Sequence, residues 1–276
     1  MIAFASNSLL CRAALKQTSI DPATFTFARI LSGALMLWLV IALRRSFSSP
    51  VARHSLLSQG TWLSALALFI YAAGFSFAYI NLSAGTGALL LFGAVQATMI
   101  LWGFSGGERF DGLQVLGLVL ALIGLVVLVF PGISAPPLLS SIFMMAAGIA
   151  WGVYSVRGKS ATDATAATTG NFVRAVPFVV LLSLIMLPRF HFDSLGATYA
   201  AISGAITSGL GYVIWYAALS GMKALSAATV QLSVPVLAAT GGILLLGESI
   251  SFRYVIASIA VLGGIALVII EKRRSS

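Results

Sequence analysis

Residues 112–130 read GLQVLGLVLALIGLVVLVF, a stretch without a single charged side chain. A helix that crosses a bilayer needs about 20 mostly apolar residues, so this stretch predicts a transmembrane helix. Turn residues and charges separate it from nine similar stretches. These lie at roughly 1–15, 23–43, 60–80, 85–104, 138–156, 166–187, 196–219, 224–246 and 251–270. The sequence therefore predicts an all-α integral membrane protein with ten transmembrane helices.

The composition supports lipid as the surrounding solvent. Hydrophobic residues make up 59% of the 276 residues, charged residues 8%, and mean hydropathy is +1.04. A soluble domain carries about 25% charged residues, so a water-soluble fold is excluded. The single cysteine, Cys11, excludes an intrachain disulfide and a multi-thiol metal site. We expect no metal, no cofactor and no nucleic-acid partner, and we expect the lipid bilayer as the main partner.

The basic residues predict the orientation of the chain. Cytoplasmic loops carry an excess of Lys and Arg. With the N-terminus inside, the outer loops hold only Arg12, Lys16, Arg189 and Arg253. The inner loops then hold ten, namely Arg44, Arg45, Arg53, Arg109, Arg157, Lys159, Lys223, Lys272, Arg273 and Arg274. Both termini are therefore predicted to be cytoplasmic.

The two halves of the chain resemble each other. Matching pairs include Phe27-Ala28-Arg29 with Phe172-Val173-Arg174, Val95-Gln96 with Val230-Gln231, and Gly107-Glu108 with Gly247-Glu248. Each half contains five spans, so the second must enter the membrane in the opposite sense. We predict inverted five-helix repeats at 1–133 and 134–276, forming one structural unit. Such repeats are typical of transporters that bind a solute between the halves near the midplane. The alternative is a duplication that only eased folding.

Two stretches resemble a known family. Residues 227–248, AATVQLSVPVLAATGGILLLGE, are similar to the EamA domain of the drug/metabolite transporter superfamily, although Ile100 stands in span four where span nine has Pro235. Two such domains would cover essentially the whole chain. Residues 3–12, AFASNSLLCR, resemble the bacterial aromatic amino acid exporters, which makes Asn7 a cavity candidate. The resemblance implies a monomeric exporter of amino acids, related metabolites or drugs, working by alternating access in the bacterial inner membrane.

Two arginines fall inside predicted spans. Arg29 lies six residues into span two, about 9 Å along the helix, and the favoured interpretation is that its side chain snorkels to the interface. Arg174 lies about 12 Å into span seven, one turn from Asn171. Asn171 and Arg174 are candidates for a substrate carboxylate, since Arg binds carboxylates bidentately. The alternative for Arg174 is that it caps the carbonyls of a broken helix.

Two glutamines sit near the middle of matching spans. An amide donates and accepts, so Gln96 and Gln231 are candidates for reading both ends of an amino acid. Equally, they could hold helices together at the repeat interface. Pro235 removes a backbone hydrogen bond near Gln231, which favours a helix break that lines the cavity.

Aromatic and small residues complete the candidate set. Tyr212 and Trp215, Tyr154 with Trp151, and Tyr79 with Ser76 would form an aromatic wall for apolar or aromatic substrates, the alternative being ordinary packing or, for Trp215, an interfacial belt. Gly209 and Gly211 are candidate hinges. Gly263-Gly264 and Gly117 with Ala121 are expected to let helices approach closely.

The acids and histidines bear on coupling and on competing functions. All seven acids and both histidines lie in predicted loops or at span ends, so no midplane group is placed to relay protons. Passive facilitated export therefore fits better than proton antiport, and no catalytic activity is expected. One alternative is a transporter of phosphorylated metabolites or nucleotide sugars, with Arg29 and Arg174 as phosphate contacts. A membrane-embedded transferase is disfavoured because such reactions commonly need clustered carboxylates for Mg²⁺.

Overall fold

A computed structural model describes residues 1–46, 59–105, 112–130, 132, 135–158, 161, 163–220 and 230–274. The regular secondary structure of these ranges is entirely helical. The predicted boundary between residues 133 and 134 lies outside the described residues, as do residues 224–229 at the start of predicted span nine.

The helices follow the predicted spans closely over most of the chain. Their bounds are α1 Ile2–Gln17, α2 Pro22–Ser46, α3 Trp62–Tyr79, α4 Ala84–Ser105, α5 Gly112–Val129, α6 Leu138–Gly158, α7 Ala164–Ile185, α8 Ser194–Ile202, α9 Gly211–Ser220, α10 Ser233–Leu246 and α11 Phe252–Arg274. A π-helical segment, Ser203–Leu210, joins α8 to α9. Within the described ranges, seven helical segments are long and apolar enough to cross a membrane, and α10 and most of α11 are shorter apolar helices.

Apolar side chains cover the outside of the bundle. Leu244 is 76% exposed, Ile259 69% and Ile214 68%. Apolar surface that extends over every helix would be unstable in water, where a monomer rarely exposes more than a few hundred Å² in one patch. Together with the apolar segments, this surface identifies a multi-pass membrane protein.

Turn chemistry sets where several helices start and stop. Asp163 accepts a hydrogen bond from the Ala166 amide and caps α7, and Thr61 accepts one from the Ser64 amide and caps α3. Gly247 ends α10 in the left-handed region, with φ of +62°, where glycine carries no steric penalty. The turn at Gly247 directs the carboxylate of the next residue, Glu248, back toward the bundle.

One end of the bundle, called the Glu248 end, is held by an ion pair. Arg12 Nε lies 3.0 Å from Glu248 Oε1, and Arg12 Nη1 donates to the carbonyls of Tyr79 and Ile80 at 2.9 and 2.8 Å. Glu248 Oε2 accepts from the Ala84 amide at 2.8 Å. The network joins α1, the α3–α4 turn and the α10–α11 turn.

The opposite end, called the Asp163 end, joins the start of α3 to the end of α6 and the start of α7. Arg157 Nε donates to Ser64 Oγ at 3.2 Å. Arg44 lies 3.7 Å from Asp163, but both side chains are exposed, so this ion pair contributes little. Arg44 and Arg157, which the charge distribution places on one side of the membrane, thus share this end.

Small residues bring α5 and α11 together. A Cβ added to Gly264 would lie 2.4 Å from the Gly117 carbonyl oxygen and 2.7 Å from the Ala121 amide nitrogen, so the backbones touch. The predicted close approach at Gly117, Ala121 and Gly264 is confirmed. Gly263 has nothing within 4 Å in the same test and takes no part.

Two helices depart from the predicted spans. Predicted span eight is one continuous helical run, but its middle turns widen into the π-helical segment. In predicted span nine, residues 230 and 231 are helical, Leu232 forms a turn, and α10 starts at Ser233. Pro235 therefore sits in the first turn of α10, where its missing N–H costs little.

Candidate functional site

Arg29 lies in the middle of the bundle and is 1% exposed. Its Nη2 donates to the Tyr71 hydroxyl at 2.9 Å, and its Nε donates to Ser208 Oγ at 3.3 Å. The guanidinium carbon lies 4.8 Å from the Phe75 ring centroid and 5.1 Å from that of Tyr71. The interpretation that Arg29 snorkels to the interface is therefore wrong: aromatic rings enclose the side chain and direct it inward.

The charge of Arg29 is incompletely compensated. Its Nη1 atom is buried and has no hydrogen-bond partner among the described residues. The ion pairs found in those ranges are Arg12–Glu248 and Arg44–Asp163, and neither includes Arg29. A buried, unpaired donor on a charged group costs several kcal/mol, so Nη1 is a group that a bound water or ligand would satisfy.

Asn7 organises the polar side of the site. Its Nδ2 donates to the Tyr71 hydroxyl at 3.3 Å, while its Oδ1 accepts from the hydroxyls of Ser203 and Thr207. These hydroxyls and that of Ser208 all come from the π-helical segment, whose extra residue per turn changes which side chains face α1 and α2. Asn7, predicted from the resemblance of the opening stretch, thus lies beside Arg29.

Aromatic rings form the remaining wall. The Trp151 ring centroid lies 4.8 Å from Tyr71, 4.9 Å from Tyr212 and 6.1 Å from Phe4. The Tyr212 hydroxyl is a second buried group without a hydrogen-bond partner in the described ranges. We call the whole assembly the Arg29 cluster. It comprises Phe4, Asn7, Arg29, Tyr71, Phe75, Trp151, Ser203, Thr207, Ser208 and Tyr212.

Asn171 and Arg174 lie nearer the Asp163 end and hold a backbone turn. Asn171 Oδ1 accepts from the Thr61 amide at 2.9 Å. Arg174 Nη1 donates to the Gln59 carbonyl at 2.6 Å and to the Gly170 carbonyl at 3.1 Å. The sequence leaves two interpretations open for Arg174, a contact to a substrate carboxylate and a cap on backbone carbonyls. The geometry matches the cap.

The other predicted residues divide between the Arg29 cluster and the helix contacts around it. Tyr154 stacks on Trp151 with centroids 5.4 Å apart, and Trp215 meets Phe4 edge-on at 5.8 Å. Tyr79 donates to the Ala84 carbonyl at 3.2 Å and so braces the α3–α4 turn. Gln96 and Gln231 bond to each other at 3.2 Å, the interhelical contact that the sequence allowed.

Two predicted hinge glycines allow close packing around the site. A Cβ added to Gly211 would lie 3.2 Å from the Ala3 side chain, and one on Gly209 3.3 Å from the Gly204 carbonyl. Gly209 lies within the π-helical segment and Gly211 begins α9. Their role as hinges stays a prediction.

Sequence reasoning missed Tyr71, Phe75 and the hydroxyls of the π-helical segment. A signal for the first two exists, because Tyr71, Phe75 and Tyr79 recur every fourth residue and so share one face of α3. The π-helical segment has no comparable signal, since its backbone departs from the helical period on which such patterns depend.

Two features outside the Arg29 cluster bear on other kinds of site, a metal centre and a surface cleft. Across the described ranges, no group of three or more His, Cys, Asp or Glu residues could hold a metal ion. A cleft of about 60 Å³ lies at the Glu248 end, away from Arg29. Its lining includes Ser83, Thr86, Glu248, Ser251 and Tyr254.

Comparisons with known proteins agree on a transporter family. Residues 138–270 match the EamA-like transporter family. An uncharacterised protein of Pseudomonas aeruginosa is 53% identical over 98% of this chain and 91% of its own length. A protein of Salmonella typhimurium named as a probable amino-acid metabolite efflux pump is 26% identical over 67% of each chain.

A solved structure shows that the fold is a known one. This crystal structure matches 99% of this chain and 96% of its own, with a TM-score of 0.68 and 18% identity. The matched family segment contains α6 to α10 and most of α11, which supply Trp151, Tyr212 and the π-helical segment. The chain belongs to the EamA-like transporter family.

Proposed function

We propose that the protein is a secondary transporter or facilitator that exports amino acids and related small metabolites by alternating access. The observation that carries the proposal is the Arg29 cluster, a buried charge with an open donor inside an aromatic wall. Ionisable groups inside a membrane bundle are rare and usually mark substrate pathways. The name of the Salmonella relative supports amino-acid metabolites as the substrate class.

The position of the cluster between the two halves supports the proposal. Asn7, Arg29 and Tyr71 come from the first half of the chain. Trp151, Ser208 and Tyr212 come from the second. A solute bound here would contact both halves, so that a movement of one half against the other would change its access to either side of the membrane.

Helix pairing supports an architecture of ten transmembrane helices in two inverted repeats. In two inverted repeats, each helix of the first half has an equivalent in the second half: α1 corresponds to α6, α3 to the α8–α9 run, and α4 to α10. Exchanging the two halves therefore replaces each helix by its equivalent. The contacts of α1 with α8 and α10 then become the contacts of α6 with α3 and α4, and both sets exist. The pairs α2–α7, α4–α10 and α5–α11 convert into themselves, and each is in contact.

We further propose the orientation of the chain and the location of its closures. The excess of basic residues places the Asp163 end and both termini in the cytoplasm of a bacterium, with the Glu248 end facing outward. The Arg12–Glu248 pair is only 12% and 8% exposed, so it is a desolvated contact between the halves. Its rupture would open the bundle toward the outside.

Transport by the purified chain in liposomes tests the proposal. A panel of labelled amino acids and of their metabolites, run in counterflow with and without a pH gradient, should show saturable exchange of at least one compound. Insensitivity to the pH gradient is expected, because all acids and histidines lie outside the predicted midplane. Folded protein that exchanges nothing from the panel would contradict the proposal, and metal-dependent turnover would favour the transferase.

A further inference from the structure

We propose that the Arg29 cluster binds an organic monoanion, a carboxylate or sulfonate with an apolar or aromatic body, in preference to a zwitterionic amino acid. The bound anion crosses the membrane as a net charge. The inference rests on the proposed function and narrows its substrate class, because it selects acidic metabolites over the amino acids themselves.

The net charge of the Arg29 cluster is the first argument for an anionic ligand. The four acids whose side chains the structure describes are engaged outside the cluster: Glu248 binds Arg12, and Asp21, Asp163 and Asp193 cap helix starts. None of them pairs with Arg29, so among the described residues the cluster holds one uncompensated positive charge. A monoanion cancels that charge, and a zwitterion leaves it in place.

The hydrogen bonds within the Arg29 cluster also favour an anion over a zwitterion. An ammonium group needs acceptors, and the strongest acceptors of the cluster already bind donors of the cluster itself. Asn7 Oδ1 accepts from two hydroxyls, the Tyr71 hydroxyl accepts from Asn7 and Arg29, and Ser208 Oγ accepts from Arg29. Within the described residues, the open groups of the cluster are the donor Nη1 of Arg29 and the Tyr212 hydroxyl, which can also donate. The site therefore offers a hydrogen bond to an anion, and its charge repels an ammonium in a medium of low dielectric constant.

The aromatic residues of the Arg29 cluster favour an anion with an apolar or aromatic body. Phe4, Trp151 and Tyr212 surround one side of the cluster with ring centroids 4.9 to 6.1 Å apart. Such surfaces accept an apolar or aromatic body, and offset or edge-on stacking adds specificity for a ring. An anion without such a body, such as inorganic phosphate, would gain nothing from these rings.

The direction of transport follows from the charge. An anion moving through a protein without a proton relay carries current, and the inside-negative potential of a bacterial membrane drives it outward. Each charge that crosses is worth about 2.3 kcal/mol per 100 mV. Net export would then need no coupling ion, which agrees with the predicted positions of the acids and histidines in loops or at span ends.

Three related probes test the inference in liposomes that contain the full chain. They are phenylalanine, phenylpropanoate, which lacks the ammonium, and phenylethanesulfonate, which stays charged at every usable pH and does not leak as a neutral acid. We expect exchange of the two anions, with phenylalanine at least about tenfold weaker. With valinomycin, a tenfold K⁺ gradient should accumulate the sulfonate about tenfold on the positive side.

Variants tie the result to Arg29. Arg29→Gln should abolish sulfonate exchange and its quenching of tryptophan fluorescence, and Arg29→Lys should keep part of both. Arg174→Gln, which removes the matching charge of the second half, should change neither. Quenching that survives in Arg29→Gln would place the anion elsewhere and overturn the inference.

The possible failures separate the two proposals. If phenylalanine is exchanged as well as the anions, or the K⁺ gradient has no effect, transport stands and the inference is overturned. If no compound is exchanged but the sulfonate still quenches fluorescence in an Arg29-dependent way, the anion site stands and the transport function fails. If the sulfonate neither binds nor moves, the inference is overturned.

Discussion

Arg29 and Arg174 both follow a phenylalanine two positions earlier, and they stand 145 residues apart in matching helices. Arg29 is buried among the rings of Tyr71 and Phe75, with one donor unpaired within the described part of the chain. Arg174 is half-buried and donates to two backbone carbonyls. The same residue in the same sequence position therefore occupies a candidate binding site in one half and a structural brace in the other.

The neighbouring segment causes the difference. Beside Arg174, the turn at Gln59 and Gly60 lies close to α7 because Gly60 adopts φ of +82° and Gly170 has no side chain. That turn supplies the Gln59 carbonyl to the guanidinium, and α7 itself supplies the Gly170 carbonyl. Beside Arg29, the π-helical segment supplies the hydroxyl of Ser208, and α3 supplies aromatic rings. Two similar stretches of sequence thus meet unequal surroundings.

Arg29→Gln should have the largest effect on this comparison. The change removes the buried charge and its open donor while keeping an amide that can still bond to Tyr71. We expect substrate affinity to fall about 100-fold, as charge-assisted hydrogen bonds in buried sites are worth up to about 3 kcal/mol. Fluorescence titration of the solubilised protein measures the affinity, and an unchanged elution profile on gel filtration serves as the folding control. A loss below about threefold would remove Arg29 from the site.

Tyr71→Phe should have a smaller effect in the same region. The substitution deletes one hydroxyl that accepts from Asn7 and Arg29 and leaves the ring beside Trp151. The Tyr71 hydroxyl positions the Arg29 guanidinium through a hydrogen bond to a charged group, which is worth about 1.5 kcal/mol, so its loss should lower substrate affinity by up to about tenfold. Tyr154→Phe is the matched control, because the Tyr154 hydroxyl accepts from Asn171 instead. Its substrate affinity should stay within about twofold of that of the unchanged protein. Equal losses in both variants would contradict the assignment.

Glu248→Gln tests whether the Arg29 region opens at the Glu248 end. The variant weakens the ion pair between Glu248 and Arg12. The single cysteine, Cys11, precedes Arg12 on α1 and is fully buried, so its labelling reports opening near that pair. Maleimide should label Cys11 about fivefold faster, since breaking a partly buried ion pair shifts an opening equilibrium by about 1 kcal/mol. Arg44→Gln, at the opposite end, is the control. No change in either variant would show that the Arg12–Glu248 pair does not limit opening.

Arg174→Gln should have the smallest effect on binding and a visible one on stability. The Gln59 and Gly170 carbonyls lose a donor, so the melting temperature should fall by about 3 °C. Substrate affinity should stay within about twofold, because Arg174 bonds at the α3 turn rather than within the cluster. Thermal unfolding and the same fluorescence titration measure the two quantities. A large loss of affinity at unchanged melting temperature would return Arg174 to the binding site.

The comparison also shows how far sequence reasoning reaches. The sequence predicts that Asn7, Tyr212 and Tyr154 line a cavity; in the structure Asn7 and Tyr212 lie in the Arg29 cluster, and Tyr154 stacks on its Trp151. The sequence favours the interface for Arg29, because depth along a helix says nothing about which neighbours meet a side chain. Tyr71 was overlooked for the same reason.

The sequence by itself determined that the chain lies in a membrane and where most of its helices run. Apolar length and turn residues are local properties, and a bilayer allows few structures other than helices to satisfy the backbone. Only the tertiary structure decided which arginine keeps a donor without a partner among the described residues. That choice depends on the Gln59–Gly60 turn and on the π-helical segment, which come from distant parts of the chain and meet the arginines only after the helices pack.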